Sequence, residues 1–187
     1  MADLSHINRL NEIIIESFMN LDATAIRNLE LVRNMRDGSK RGTLLDVLDF
    51  TNTSMGARKL RSWIECPLLD LGKIYERQDA VAELLDNTTL REAVVERLKA
   101  IYDLERIVSR LEVGSANARD PVSLRTSLAV LPEVKAVLAN CKSRKLQKIY
   151  NNLHVHEDVY AALEAAIVDE PPFSVREGGM IRCGYNA

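Results

Sequence analysis

The sequence has 187 residues, with 25 Lys+Arg against 27 Asp+Glu and a formal charge of -2. At 47% hydrophobic, 28% charged and 5% aromatic residues, it is too apolar for a disordered chain and too near neutral for a free-standing nucleic-acid binder. No apolar run approaches the roughly 18 residues of a membrane helix: Ile13-Ile14-Ile15 meets Glu16, and Ala165 to Val168 meet Asp169.

Residues 11–21 read as a strand, because Ile13, Ile15, Met19 and Leu21 recur at period two. Asp22 is placed to N-cap a short helix over 23–31. Arg36-Asp37-Gly38-Ser39 is a loop. Thr43-Leu44-Leu45-Asp46 resembles an acidic capping box, and Leu44, Leu45 and Leu48 supply one face of the helix it opens. The next helix is predicted from Ser54 to Glu65, with Met55, Leu60, Trp63 and Ile64 on its inner side and Pro67 closing it. Asp70 can cap a helix in which Ile74, Gln78, Val81 and Leu85 repeat at helical spacing. Thr89-Leu90-Arg91-Glu92 reads as a full capping box before Val94, Val95, Leu98 and Ile101. Asp103 starts another helix, with Leu104, Ile107, Val108 and Leu111.

Gly114 and Ser115 interrupt the pattern. Asp120-Pro121 then reads as an N-cap with proline at the first helical position, ahead of Leu124, Leu128, Leu131, Val134 and Leu138. Pro132 is expected to kink or divide that helix. Segments 142–153 and 157–168 are amphipathic, and Asp169-Glu170-Pro171-Pro172 ends the helical region. Residues 173–177 and 180–182 alternate around Gly178-Gly179, the pattern of a β-hairpin. The expected fold is mainly α: a helical bundle with a short N-terminal strand and a C-terminal β-hairpin. Cys66, Cys141 and Cys183 are far apart and odd in number, which suits reduced, mostly buried thiols in a cytoplasmic protein. The N-terminus lacks the basic-then-apolar pattern of a secretory signal.

Chemistry is sparse. Gly38-Ser39-Lys40-Arg41-Gly42 lacks the spacing and setting of a phosphate loop, so a solvated loop is expected. His154 and His156 would point to different faces of a helix and read as surface residues before a cap. Neither a nucleophile beside a base nor a paired-carboxylate motif stands out, so no catalytic and no metal residues are assigned. Residues 57–63, with Arg58, Lys59, Arg61 and Trp63, are the best nucleic-acid candidate. The plainer expectation is that Leu60, Trp63 and Ile64 enter the core while the three cations are solvated. On residues alone the default is a scaffold or interaction domain, and an autonomous helical adaptor remains the alternative reading.

Several segments, in order, carry a resemblance. Residues 21–31 (LDATAIRNLEL), 42–49 (GTLLDVLD), 51–64 (TNTSMGARKLRSWI), 74–81 (IYERQDAV), 103–111 (DLERIVSRL), 118–124 (ARDPVSL) and 177–186 (EGGMIRCGYN) resemble the core, or lever, domain of MutS-type DNA mismatch-repair proteins. Ile26 stands where the family usually has Arg or Thr, and Cys183 where Asp is common.

That resemblance implies a helical lever coupling an ATPase to a clamp on mismatched DNA. The family's Phe-x-Glu wedge and Walker motifs do not occur here. The chain is therefore expected to be a core-domain fragment without catalysis, with ATP and Mg bound elsewhere in the parent. The implied division is a connector segment over 1–21, the helical core over 22–172, and a hairpin over 173–187 leading into a further lever helix. The implied partners are the rest of the parent chain (connector, clamp and ATPase domains) and, through it, mismatched duplex DNA, but no membrane. An apolar face should be left uncovered, through which self-association is expected. Arg27, Asn28, Arg58, Trp63, Arg77, Asp103, Glu105, Arg106 and Arg110 are expected to hold helix junctions, with Gly178 and Gly179 as the hinge.

Overall fold

A computed structural model describes residues 17–172 and 177–185. Nine helices lie among them: α1 (Ala23–Asn28), α2 (Leu44–Leu48), α3 (Ser54–Glu65), α4 (Leu71–Asp86), α5 (Thr88–Leu98), α6 (Leu104–Glu112), α7 (Asp120–Leu138), α8 (Arg144–Asn152) and α9 (Glu157–Ala166). No sheet forms among the described residues; two isolated antiparallel bridges join Phe18 to Leu68 and Ile167 to Ile181.

Most helix starts follow from one device. The side chains of Asp22, Thr43, Thr53, Asp70, Asn87 and Asp103 each accept the backbone N–H three residues on. Such a cap is worth about 1 kcal/mol. At Thr43 the box is reciprocal but shifted, since Asp46 accepts from the N–H of Gly42 rather than from the cap itself. Two expected starts move. Asn87, immediately after α4, opens α5 before Thr89 can, so the Thr89 box lies inside the helix. Asp120 is the first residue of α7 rather than its cap: Asn117 accepts the Asp120 N–H, and Asp120 accepts the Asn117 N–H in return. α7 then runs through Pro132 without being divided.

α7 is the central element and packs against α5, α6, α8 and α9, while α4 lies on α5 and α8. The main core gathers Ala80 of α4, Val134 and Leu138 of α7, Cys141, and Leu146 of α8, with Leu90 and Val94 of α5 against them. A second cluster joins Leu31, Val32 and Leu45 to Ile26, Leu60 and Ile64, so α1, α2 and α3 form an apolar nest of their own. Ile26, the departure from the family pattern, fills part of that nest.

Several inward faces differ from expectation. On α4, Ala80 and Leu84 meet the core, whereas Val81 and Leu85 are 56% and 62% exposed. That helix is apolar on two sides, and α5 and α8 cover only one. On α2, Leu45 is buried, but Leu44 and Leu48 are exposed. Of the cysteines only Cys141 is buried.

At the chain ends, residues 11–16 of the expected strand and 173–176 of the expected hairpin lie outside the described residues. Where backbone is described, Met19 donates to the Pro67 carbonyl at 2.8 Å and Leu69 to that of Ser17 at 3.2 Å. Residues 180–182 pair with the end of α9: Val168 donates to Met180 and Arg182 donates to Ala166.

Candidate functional site

The charged residues of the bundle gather where helices meet. At the α3–α6 joint, Arg58 donates both terminal nitrogens to the two carboxylate oxygens of Asp103, each at 2.7 Å. Its Nε donates to Glu105 at 3.1 Å. Asp103 also caps α6 by accepting the Arg106 N–H at 3.3 Å, and the Arg106 side chain sits 3.6 Å away. The Arg58 guanidinium holds the Asp103 carboxyl below its ordinary range, and Asp103 and Glu105 raise Arg58 in turn. One carboxylate thus starts a helix and fixes its partner.

At the α6–α7 joint, Arg110 forks onto Asp120, with Nε at 2.9 Å and Nη2 on the second oxygen. Asp120 is only 4% exposed, and the Arg110 guanidinium lowers its pKa. At the α3–α4 joint, the Arg77 guanidinium lies 3.8 Å from the centre of the Trp63 ring. Burial lowers the Arg77 pKa. Trp63 therefore does not enter the core as expected; it is 36% exposed and serves as a platform.

Of the three cations of residues 57–63 expected to be solvated, two are also paired. Arg58 is clasped, and Arg61 pairs with Glu65 at 3.1 Å along its own helix. Lys59 is exposed.

Four joint residues carry no weight in the sequence. Glu83 of α4 accepts the N–H groups of Lys142 and Ser143 at 2.6 and 2.7 Å, capping α8 from another helix. Glu76 takes Arg144 and Lys148 of α8 at 3.2 and 3.0 Å. Arg125 of α7, 9% exposed, donates to the Ile167 carbonyl at 3.2 Å and to Asp169 at 2.7 Å. Arg182 reaches the same carbonyl at 2.9 Å and the same carboxylate at 3.2 Å. One signal was available: Arg125 sits three residues before Leu128 and four after Pro121, a charge in the register of the buried stripe.

The remaining candidates are not at joints. Arg27 and Asn28 lie exposed at the end of α1. Gly178 and Gly179 both adopt left-handed backbone, φ +72° and +73°, which a β-carbon would strain. His154 and His156 are exposed, with ring centres 6.1 Å apart. In the 34–42 loop, Lys40 pairs with Asp49, and Asn34 accepts the N–H groups of Arg36 and Asp37. No group of three or more His, Cys, Asp or Glu side chains is placed to hold a metal ion among the described residues.

Apolar surface is bare on two faces. Leu71, Tyr75, Val81 and Leu85 line one side of α4, and Leu44, Val47 and Leu48 with Phe50, 87% exposed, line α2 and its end. No helix among the described residues is long and apolar enough to cross a membrane.

Comparison with known proteins matches the chain to one family. The family profile described as MutS domain III covers residues 24–183. A DNA mismatch repair protein MutS of Clostridium kluyveri is 43% identical over 186 residues, which is 100% of this chain and 21% of that protein. MutS proteins of Desulforamulus reducens and Exiguobacterium sp. are each 46% identical over 183 residues, 98% of this chain and 21% and 22% of theirs. The chain thus spans about a fifth of the length of the relatives it matches.

Proposed function

This chain belongs to the MutS family, as its domain III, and from that premise we propose that it acts as the helical lever of a DNA mismatch-repair ATPase. The observation that supports this reading best is the series of charge-assisted joints linking α3 to α6, α6 to α7, α4 to α8 and α7 to α9. Coupling between distant sites needs rigid elements held in discrete contacts, and such joints supply them. In this reading the chain has no catalysis of its own. ATP and Mg belong to an ATPase domain, and mismatched duplex DNA is held by a clamp. The protein works in the cytoplasm. Residues 22–172 form the lever core, 1–21 the connector and 173–187 the lead into a further lever helix. The bare faces of α2 and α4 receive other parts of the parent or a second copy.

The test uses a full-length MutS protein carrying this segment. Arg58→Ala is expected to reduce the stimulation of ATP hydrolysis by mismatched duplex several-fold. Unstimulated hydrolysis and duplex affinity should stay close to the parent values. Unchanged stimulation, or an equal loss of all three, would contradict the lever reading.

A further inference from the structure

The strongest unused feature is a cleft of about 620 Å³ between α1, the 32–38 segment and the end of α3. Among the described residues it is lined by three arginines, Arg27, Arg33 and Arg61, and by one acidic residue, Glu65. Glu65 is already engaged by Arg61 at 3.1 Å. Arg27 and Arg33 make no side-chain hydrogen bond or ion pair among the described residues. They differ in this from Arg58, Arg110, Arg125 and Arg182, which all meet carboxylates. Val32, 6% exposed, lines the apolar part of the cleft, and Met35 stands 62% exposed at its rim. Two uncompensated cations thus flank an apolar recess on a chain whose overall charge is -2.

We propose that this cleft docks an acidic protein segment that carries an apolar side chain between its carboxylates. A guanidinium fork binds a carboxylate through two parallel hydrogen bonds, and Arg27 and Arg33 have both forks free for this. The apolar side chain fills the recess over Val32 and beneath Met35, as anchors do at the centre of an interface. Nucleic acid fits less well. A strand needs cations along an open track and aromatic platforms for its bases. Among the described residues no aromatic side chain lines the cleft, and its two unpaired arginines flank an apolar recess rather than an open track. The proposal does not rest on the lever reading, since it concerns a surface away from the helix joints.

The experiment is fluorescence anisotropy with the full chain and three labelled probes. One is a short peptide of glutamates around one phenylalanine, one replaces its glutamates with glutamine, and one is an oligonucleotide of matching charge. The acidic peptide is expected to bind saturably, and the glutamine peptide at least about tenfold more weakly. Arg27→Gln/Arg33→Gln should weaken the acidic peptide by about tenfold as well, with the helical circular-dichroism signal unchanged. Both residues are exposed, so folding is not at stake. Amide shifts on binding should cluster at residues 26–38 and 61–65. Preference for the oligonucleotide overturns the proposal, as does equal binding of the glutamine peptide, an indifferent double variant, shifts elsewhere, or no binding at all.

Discussion

Arg58 and Asp103, 45 residues apart in sequence, meet through two parallel hydrogen bonds of 2.7 Å, and the same Asp103 carboxylate starts α6. Helix initiation and helix docking therefore share one side chain. Arg58→Ala should lower the melting temperature by removing the docking alone. Asp103→Ala should lower it further, because the cap goes too. The double variant should lose little beyond Asp103→Ala, a non-additivity that a thermal-denaturation cycle measures. Additive losses would show that the two residues act separately.

Trp63 is the chain's one tryptophan, so intrinsic fluorescence reports on its stack with Arg77. Arg77→Ala should shift the emission to the red as water replaces the guanidinium. The cost in stability should be about 0.5–1 kcal/mol. Arg77→Lys should give a smaller shift, since it keeps a charged stem over the ring but loses the plane. An unmoved spectrum in Arg77→Ala would mean that the stack is absent in solution.

The core makes a sharper demand. Leu138 is 5% exposed between α7 and its neighbours, and Leu138→Ala should cost about 2–5 kcal/mol in urea denaturation. Ile149, on α8 but 42% exposed, should cost less than about 1 kcal/mol when cut to alanine. Equal losses would place the buried face of α8 wrongly.

Acid should loosen the joints in a definite window. Lys40, with Thr51, lowers Asp49 from 3.8 to about 2, and Arg58 and Arg110 lower Asp103 and Asp120. A carboxyl depressed in the folded chain binds fewer protons than it does unfolded. Its contribution is therefore complete above the unfolded value and lost as pH falls through the folded one. Stability carried by Asp49 should hold down to pH 3.8 and fall from there towards about 2, and that carried by Asp103 and Asp120 should likewise be lost only below pH 3.8. Urea midpoints against pH, with the Asp49 carboxyl followed by NMR, check both the window and its sign.

Local signals were legible in the residues, and distant ones were not. α3 runs from Ser54 to Glu65, as its apolar spacing and Pro67 require. Asp22, Thr43, Asp70 and Asp103 cap as their positions suggest, because a cap is settled within four residues. Thr89 lost to Asn87 because two capping residues competed, and the one nearer the end of α4 acted first. Arg58, Asp103, Glu105 and Arg110 stood out through the family resemblance, yet their pairing depends on how α3, α6 and α7 are packed. Glu83 and Arg125 stayed hidden for the same reason, since each finds its partner on another element.

Arg125 and Arg182 close on one carbonyl and one carboxylate at the end of α9. The consequence is mechanical. Tension on the backbone beyond Arg182 does not peel the last residues away one at a time. It enters through Arg182, crosses Ile167 and Asp169 to Arg125, and arrives in α7, the element on which four other helices lean. A pull at the edge of the molecule is thereby delivered to its middle.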